Sequence, residues 1–321
     1  MINELIISGL IAFAVALITI PILEKKLLKR GIVGQDVHKV DKPMRAEMGG
    51  IGILLGFIFG TATYTLIGGE ISAFALSAII VLILIALIGM FDDFSFMKQR
   101  YKPFLIGAAT IPLIITYSGE GQIILPLIGW IGFGALYQFL VIPLAITTSA
   151  NFSNMFAGFN GLEAGVGALS LGTLGFLAIL FGRWEAAAIA IVLTVSLLAF
   201  LKFNWFPAKV FPGDVGTLIM GAGVATVGIV GGLEFAAIAV SFPAAIDFTL
   251  KMIARHPFSQ RGSFGDTLIG SDGVLVPPRY PALAHVFLRV APLGEKGLVG
   301  SLLSLQLVYC LLAIALTLLL T

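Results

Sequence analysis

The chain has 321 residues, of which 59% are hydrophobic and only 11% are charged, with a mean hydropathy of +1.07. Soluble globular domains carry charge on about a quarter of their residues, so this composition excludes that class and indicates an integral membrane protein. The net charge of +2 favours no particular partner, and the single cysteine, Cys310, excludes a disulfide framework and a thiolate metal site.

Long apolar runs divide the chain into predicted membrane-spanning helices. A bilayer core about 30 Å thick needs about 20 apolar residues per helix, and we predict ten such spans. They cover residues 3–23, 50–67, 72–91, 104–118, 128–149, 162–181, 185–201, 215–231, 234–252 and 297–320. The runs lack the alternating pattern of a membrane barrel strand, so we predict an all-α polytopic membrane protein with residues 1–321 in a single domain.

The cationic residues are distributed unevenly between the loops. Nearly all of the 19 lysines and arginines lie in or beside every second loop, with Arg183 as the exception. The positive-inside rule places these loops in the cytoplasm and both termini outside. The predicted cytoplasmic loops are residues 24–49, 92–103, 150–161, 202–214 and 253–296. We therefore expect the functional site on the cytoplasmic face.

The first cytoplasmic loop has two interpretations. Its lysines and arginines fit a loop that only sets the membrane orientation. Its acids Asp36, Asp41 and Glu47, together with Gly49 and Gly50, favour a structured polar loop that folds over the membrane face.

Asp92 and Asp93 are adjacent carboxylates at the end of the third apolar run. They repel each other, and they lie at the negative end of the helix dipole. A positive group should compensate, either a bound metal ion or the cations that follow, of which Lys102 is one. The alternative is a simple stop signal at the membrane interface.

A polar stretch at residues 151–165 interrupts two long apolar runs. It contains Asn151, Asn154, Asn160 and Glu163 among several glycines. Unpaired amides are costly in hydrocarbon, so these side chains should bond to each other, to water or to a ligand. The alternative is a glycine-rich packing face with asparagines that cap helices.

Two further aspartates are candidates with structural alternatives. Asp214 lies where a helix N-cap is expected, and its carboxylate could instead bind a divalent cation. Asp247 is an acid inside an apolar run, which is either functional or hydrogen-bonded to a neighbouring helix.

The last cytoplasmic loop is cationic, with Arg255, His256 and Arg261 near its start. Such a segment suits an anionic soluble ligand or lipid headgroups. Near its end, residues 281–290 predict a short interfacial helix. Its predicted apolar stripe consists of Ala282, Leu283, Val286, Phe287 and Val290, with His285 and Arg289 off the stripe.

These residues together indicate phosphate chemistry at the membrane surface. Carboxylate and amide oxygens suit Mg²⁺, which binds phosphates with few protein ligands. Three histidines are too few and too scattered for a zinc site. A transporter would be expected to show polar helices near the bilayer midplane and an internal repeat, and apart from Asp247 we identify neither in the sequence.

The motifs resemble those of the polyprenyl-phosphate N-acetylhexosamine-1-phosphate transferases, in order over nearly the whole chain. They are Asp92–Asp93, NMFAGFNGLEAG at 154–165, NWFP at 204–207 with FPGD at 211–214, and Arg255–His256. The resemblance is greatest to the eukaryotic and archaeal type that acts on dolichyl phosphate. Pro257 stands where eukaryotic members carry a second arginine, so Arg261 is a substitute candidate for that contact.

The resemblance implies transfer of GlcNAc-1-phosphate from UDP-GlcNAc to dolichyl phosphate with release of UMP. It implies that Asn154 and Asp214 hold Mg²⁺, with Mn²⁺ as a second candidate ion. It implies that Lys102 holds the lipid phosphate and that Asp92 orients or deprotonates it, while Asp93 anchors Lys102 or the loop. A two-step route through a phospho-carboxylate stays open.

The resemblance also implies substrate contacts and partners. Glu47 and Asn160 would contact the uridine or sugar, Arg255 and His256 the phosphates or acetamido group, and Glu163 would hold the loop.

The expected partners are UDP-GlcNAc, the polyprenyl or dolichyl phosphate and membrane lipid, with no nucleic acid; homodimerisation stays open. The membrane would be the cell membrane in an archaeon or bacterium and that of the endoplasmic reticulum in a eukaryote. A transferase for undecaprenyl phosphate or another UDP-sugar, and a membrane transporter, are the alternatives.

Overall fold

The computed structural model describes residues 1–95, 97–125, 128–253, 267–270 and 273–320, and most of them are helical. The α-helices are α1 (Ile2–Lys29), α2 (Gly50–Leu66), α3 (Ala73–Ser95), α4 (Lys102–Ala109), α5 (Ile111–Thr116), α6 (Ile142–Met155), α7 (Leu162–Leu180), α8 (Trp184–Asn204), α9 (Gly213–Gly231), α10 (Glu234–Ile253), α11 (Leu283–Val290) and α12 (Glu295–Leu320). A π-helical turn at Tyr137–Val141 leads into α6.

Seven of the described helices are long and apolar enough to cross a membrane, namely α1, α3, α7, α8, α9, α10 and α12. Shorter apolar helices lie at Gly50–Leu66 and Lys102–Thr116. The prediction of a helical polytopic membrane protein is confirmed.

Two predicted spans differ from the structure. The span at 104–118 is divided at Thr110 between α4 and α5, because Pro112 has no N–H with which to continue the helix. The span at 128–149 begins as a strand and becomes helical only after Gly134. Gly129, the first residue of this strand, and Gly134, just after it, have positive φ, a conformation that a helix does not use.

The described strands form three antiparallel hairpins outside the helices. They are β1 (Val33–Gln35) with β2 (Met44–Ala46), β3 (Gln122–Leu125) with β4 (Gly129–Gly132), and β5 (Leu268–Ile269) with β6 (Leu275–Val276). The β1–β2 hairpin pairs Val33 with Ala46. Phe211 N–H donates to the Ala46 carbonyl at 2.8 Å, so the first loop is structured and lies against the segment that precedes α9.

Helix α9 lies at the centre of the bundle, with nearly all of its side chains buried. Glycines let its neighbours approach backbone to backbone. A Cβ on Gly89 of α3 would lie 2.5 Å from the Asp214 carbonyl oxygen, and one on Gly221 of α9 would lie 2.2 Å from the Ser149 carbonyl oxygen. Small residues serve this purpose at helix contacts in membranes. The close approach brings the ends of α3 and α6 to the start of α9.

The predicted apolar stripe of the short helix near residue 285 is only partly confirmed, since Ala282 and Leu283 are buried but Val286 is 40% exposed. Helix α11 buries Leu283, His285 and Leu288, whereas Val290 of the predicted stripe is 84% exposed. His285 can face inward because its ring nitrogens are hydrogen-bonded, Nδ1 with the Tyr280 carbonyl and Nε2 with the Thr267 hydroxyl, each at 3.1 Å.

Candidate active site

The ammonium group of Lys102 joins two of the predicted aspartates. Its side chain is only 2% exposed, and its Nζ lies 3.0 Å from Asp92 Oδ2 and 2.5 Å from Asp214 Oδ2. Lys102 begins α4, Asp92 lies near the end of α3, and Asp214 lies in the first turn of α9. Three helix ends therefore meet around one buried positive charge, which compensates the repulsion between the carboxylates.

Asp93 caps helix α9 from the neighbouring helix. Its Oδ1 accepts the Asp214 N–H at 2.8 Å, and its Oδ2 accepts the Val215 N–H at 3.2 Å. These are among the N–H groups at a helix start that lack partners within the helix. The predicted N-cap role of Asp214 is wrong, because Pro212 occupies the N-cap position and Asp93 supplies the capping carboxylate.

The backbone at the start of α9 requires glycine. Gly213 has a φ of 65°, which favours a residue without a side chain. A Cβ at this position would lie 2.6 Å from Asp93 Oδ2. Gly213 thus lets the Asp93 carboxylate reach the amides of α9.

Asn154 contacts the remaining oxygen of Asp214. Asn154 lies at the end of α6, and its Nδ2 donates a hydrogen bond to Asp214 Oδ1 at 3.0 Å. Asn151, one turn earlier, donates instead to the Thr147 carbonyl of its own helix at 2.7 Å. Of these two asparagines, Asn154 is the one that the structure brings to Asp214.

The loop between α6 and α7 is held by two acids. Glu163 Oε1 accepts the Gly158 N–H at 2.8 Å, so Glu163 holds its own loop. Glu295 Oε1, at the start of α12, accepts the Asn160 N–H at 2.7 Å. The Asn160 side chain donates to Asp36 Oδ2 at 3.0 Å, which ties this loop to the loop between α1 and α2.

Lys39 completes a polar cluster that sequence reasoning did not assign to the site. Its ammonium contacts Asp36 Oδ2 at 3.2 Å and also the Glu295 carboxylate. The only sequence signal for Glu295 is an acid at the start of the last apolar run, and nothing in the sequence pairs it with Lys39.

A cavity of about 240 Å³ is lined by five of the eight predicted site residues that lie in the described part of the chain. Glu47, Asn154, Asn160, Glu163 and Asp214 all line it. The other lining residues are Gln35, Asp36, Val37, His38, Ala157, Gly158, Phe159, Asn204, Phe211, Pro212, Gly213 and Thr217.

The placement of the remaining predicted residues differs. The cavity lining does not include Asp92, Asp93 or Lys102, which reach it through Asp214. Arg255, His256 and Arg261 lie outside the described residues.

Aromatic rings cover part of the cavity wall. The His38 imidazole stacks on the Phe159 ring, with centroids 4.5 Å apart and planes 19° apart. Both residues line the cavity, so the first loop and the α6–α7 loop meet there through a flat surface.

The charge of the cavity lining is negative in the part of the chain that the structure describes. Asp36, Glu47, Glu163 and Asp214 line it, and within the described residues no lysine or arginine does. Lys39 and Lys102 offset the charges of Asp36 and Asp214 from outside the lining, and a cation bound with a diphosphate would lower its repulsion from the remaining acids.

The donor set fits a magnesium ion. Asp214 and Asn154 present a carboxylate and an amide on the cavity wall. The described residues include no group of three or more His, Cys, Asp or Glu side chains that could hold a metal. Mg²⁺ needs no such cage, because it keeps several waters and binds through one or two protein oxygens and substrate phosphates.

Asp247 lies outside this cavity, since it is not among the residues that line it. Its Oδ1 accepts the Leu283 N–H at 2.8 Å, and its Oδ2 lies 2.6 Å from Lys251 Nζ. Of the two interpretations of Asp247, the structure shows the hydrogen bond to a neighbouring helix.

Comparison with known proteins gives the family. The model of "Glycosyl transferase family 4" matches residues 75–232. A protein of Saccharolobus solfataricus, provisionally named UDP-N-acetylglucosamine–dolichyl-phosphate N-acetylglucosaminephosphotransferase, is 34% identical over 96% of this chain and 95% of its own length.

More distant relatives are eukaryotic and bacterial. The UDP-N-acetylglucosamine–dolichyl-phosphate N-acetylglucosaminephosphotransferase of Schizosaccharomyces pombe is 27% identical over 76% of this chain and 66% of its own length. The phospho-N-acetylmuramoyl-pentapeptide-transferase of Streptococcus gordonii is 30% identical over 70% of this chain and 73% of its own length. The resemblance seen in the sequence motifs is confirmed, and the chain belongs to the polyprenyl-phosphate N-acetylhexosamine-1-phosphate transferases of glycosyl transferase family 4.

Proposed function

We propose that this membrane enzyme transfers GlcNAc-1-phosphate from UDP-GlcNAc to dolichyl phosphate or a related polyprenyl phosphate. The products are GlcNAc-diphospho-lipid and UMP, and the reaction is the first step of lipid-linked oligosaccharide assembly for N-glycosylation. The observation that carries the proposal is the junction of Lys102 with Asp92 and Asp214, of which Asp214 and its partner Asn154 line the cavity. The names of the archaeal and yeast relatives support the choice of substrates.

The reaction joins two anions. An oxygen of the lipid phosphate forms a bond to the β-phosphorus of UDP-GlcNAc, and the bond from that phosphorus to the bridging oxygen breaks. The bridging oxygen leaves with UMP. Positioning and neutralisation of charge are therefore the main tasks of the site.

Asp214 and Asn154 would hold Mg²⁺ in this proposal, with Mn²⁺ as a second candidate. The ion would supply positive charge to the diphosphate in a cavity lined by carboxylates. Asp93 contributes indirectly, because it caps α9 and so fixes the backbone of Asp214.

Asp92 and Lys102 would act on the lipid phosphate. A phosphate monoester has a second pKa of about 6, so it is largely dianionic at neutral pH and needs little deprotonation. Asp92 would orient it or accept its remaining proton. Lys102 would contribute positive charge, which the structure holds between Asp92 and Asp214.

The cavity wall would hold the sugar nucleotide. Glu47 and Asn160 line it and remain our candidates for contacts with the uridine or the sugar. Arg255, His256 and Arg261 remain candidates for the phosphates, supported by the family motif alone.

The membrane arrangement is also part of the proposal. We propose ten spans in one domain of residues 1–321, both termini outside and the cavity on the cytoplasmic face, on the basis of the lysine and arginine distribution. The membrane is the cell membrane in an archaeon or bacterium, or that of the endoplasmic reticulum in a eukaryote.

A second candidate function is transfer to undecaprenyl phosphate or from another UDP-sugar. The bacterial relative at 30% identity favours it. A transporter has no comparable support, since the relatives are named as transferases.

A substrate panel separates these functions. Purified protein is incubated with UDP-GlcNAc or another UDP-sugar, and with dolichyl or undecaprenyl phosphate, with and without Mg²⁺. We expect UMP release that requires UDP-GlcNAc, a prenyl phosphate and Mg²⁺, and that is fastest with dolichyl phosphate. Faster release with undecaprenyl phosphate would favour the second candidate, and solute movement without UMP would favour a transporter.

A further inference from the structure

A buried ion pair on α10 lies beside the candidate site and has no part in the proposed reaction. Lys251 and Asp247 are one helical turn apart, 5% and 2% exposed, with Nζ and Oδ2 2.6 Å apart. A buried ion pair is often no more stabilising than apolar residues of similar volume. Stability alone is therefore a weak explanation for this pair.

Lys251 binds the end of the helix that carries Asn154. Its Nζ donates to the Met155 carbonyl at 2.6 Å, and Met155 is the last residue of α6. The final carbonyls of a helix lack partners within the helix, and a cation is favourable at this negative end. Lys251 thus caps α6 from a neighbouring helix, one residue after Asn154.

Asp247 binds the start of a different helix. Its Oδ1 accepts the N–H of Leu283, the first residue of α11. A carboxylate is favourable at this positive end. One turn of α10 therefore caps the end of α6 and the start of α11.

The end of α6 also packs against α9, where a Cβ on Gly221 would lie 2.7 Å from Ser153 Cβ. Residues 151–155 are all only half-buried. The Phe152 ring contacts the Phe248 ring of α10 with centroids 5.0 Å apart, a contact that tolerates small shifts. A charge-assisted bond to a single carbonyl is more restrictive.

We propose that Lys251 and Asp247 are a positioning pair that fixes the end of α6, and with it the Asn154 amide, against Asp214. The pair does not touch substrate and acts through Asn154. The inference rests on the proposed function, because it assigns Asn154 and Asp214 to the Mg²⁺ site.

The test uses a double variant, D247N/K251M. The asparagine that replaces Asp247 keeps an oxygen for the Leu283 N–H, and the double change leaves no unpaired buried charge, so we expect the protein to fold. We expect UMP release to fall by between about tenfold and a hundredfold, as for a misplaced binding group. In the second measurement, Mg²⁺ is titrated with UDP-GlcNAc present and the melting temperature is recorded. The Mg²⁺ midpoint, which is the concentration that gives half of the maximal rise in melting temperature, should increase at least about threefold.

A matched control lies at the opposite end of the same helix. Glu234 of α10 accepts a hydrogen bond from the Tyr137 hydroxyl, and Y137F/E234Q removes that buried polar contact. We expect its UMP release and its Mg²⁺ midpoint to stay within about twofold of wild type, since distant sites act independently.

A double-mutant cycle tests whether the pair acts through Asn154. In protein that already carries N154A, the further change D247N/K251M should lower UMP release by less than about twofold, because the effects of coupled residues are not additive. Full additivity would overturn the proposal. Wild-type values of both readouts for D247N/K251M, or equal losses in Y137F/E234Q, would also overturn it. Absence of UMP release by wild type would refute the proposed function, while the melting midpoints would still report on the pair.

Discussion

At the scale of single residues, the site depends on how three helix ends share their charges. Lys102 lies between Asp92 and Asp214, Asn154 contacts the other Asp214 oxygen, and Asp93 binds the backbone of α9. The adjacent acids Asp92 and Asp93 therefore have different partners, one an ammonium group and the other a helix start.

Replacement of Asp214 by alanine tests the metal assignment. We expect Mg²⁺-dependent UMP release to be lost, because the carboxylate that faces the cavity is removed. D41A is the matched control, since Asp41 is an exposed acid on the first loop, and it should keep its activity. Unchanged turnover of D214A at low Mg²⁺ would contradict the assignment.

Replacement of Asp92 by asparagine tests its role as a base. Asparagine keeps an oxygen for the Met97 N–H, which Asp92 Oδ1 accepts at 2.7 Å, but it cannot take a proton. We expect UMP release to fall about a hundredfold at pH 6, where part of the lipid phosphate is still protonated, and by less towards pH 9, where the phosphate is dianionic. Activity within a few-fold of wild type over that range would remove the base role.

Alanine substitutions at Gly213 and Gly31 distinguish the effect of backbone strain from that of a steric clash. Both have positive φ, 65° and 70°, so an alanine at either position costs about 1 kcal/mol of stability. A Cβ at Gly31 meets nothing within 4 Å, whereas one at Gly213 meets Asp93 Oδ2. We expect G213A to lower both the melting temperature and UMP release, and G31A to lower only the former; equal activities would show that the Asp93 contact is dispensable.

At the scale of elements, one cluster of charged and polar residues joins two of the loops that line the cavity, the α1–α2 loop and the α6–α7 loop. Lys39 follows strand β1, Glu295 starts α12, and Asn160 lies in the α6–α7 loop. Lys39 and the Asn160 N–H both contact the Glu295 carboxylate. Lys39 and the Asn160 side chain also both contact Asp36. The cluster should therefore set the width of the cavity and not the chemistry at its wall.

Replacement of Lys39 by methionine tests this interpretation. We expect the KM for UDP-GlcNAc to rise about tenfold with kcat nearly unchanged, as for loss of uniform binding. K42M is the control, because Lys42 is exposed on the same loop. A fall in kcat at unchanged KM would place Lys39 in the chemistry instead.

The buried histidine of helix α11, His285, leads us to expect a fold that loses stability in acid. Burial lowers the pKa of His285 to about 4, while an unfolded histidine has a pKa of about 6.5. The unfolded state therefore binds more protons between these values. The contribution of His285 to the free energy of unfolding should therefore be complete above about pH 6.5. It should decrease towards pH 4, by at most ~1.4 kcal/mol per pH unit.

Melting temperatures of the solubilised protein check this prediction. The variant H285N should have a flatter pH profile between pH 6.5 and 4 than wild type. An identical slope in both proteins would assign the acid sensitivity to other groups.

The sequence predicts the elements better than their partners. Apolar runs and the polar stretch at 151–165 indicate a helical membrane protein with its motifs at helix ends. The pairing of Lys102 with Asp214, or of Lys39 with Glu295, joins residues far apart in the chain and depends on packing. Helix α11 shows the same limit, because burial of His285 depends on its partners Thr267 and Tyr280.

At the scale of the whole molecule, α9 determines where the motifs meet. The backbone contacts at Gly89 and Gly221 bring α3 and α6 against it, so motifs from separate runs converge at its start. The sequence order of the motifs gives no reason for this convergence. It follows from small residues at the helix contacts.

The most direct measurement identifies the lipid product. Purified protein is incubated with UDP-GlcNAc, dolichyl phosphate and Mg²⁺, and the lipid is analysed by mass spectrometry beside the UMP released. We expect one GlcNAc-diphospho-lipid for each UMP, and neither product from D214A. A lipid that carries GlcNAc through a single phosphate, with UDP released in place of UMP, would contradict transfer of GlcNAc-1-phosphate.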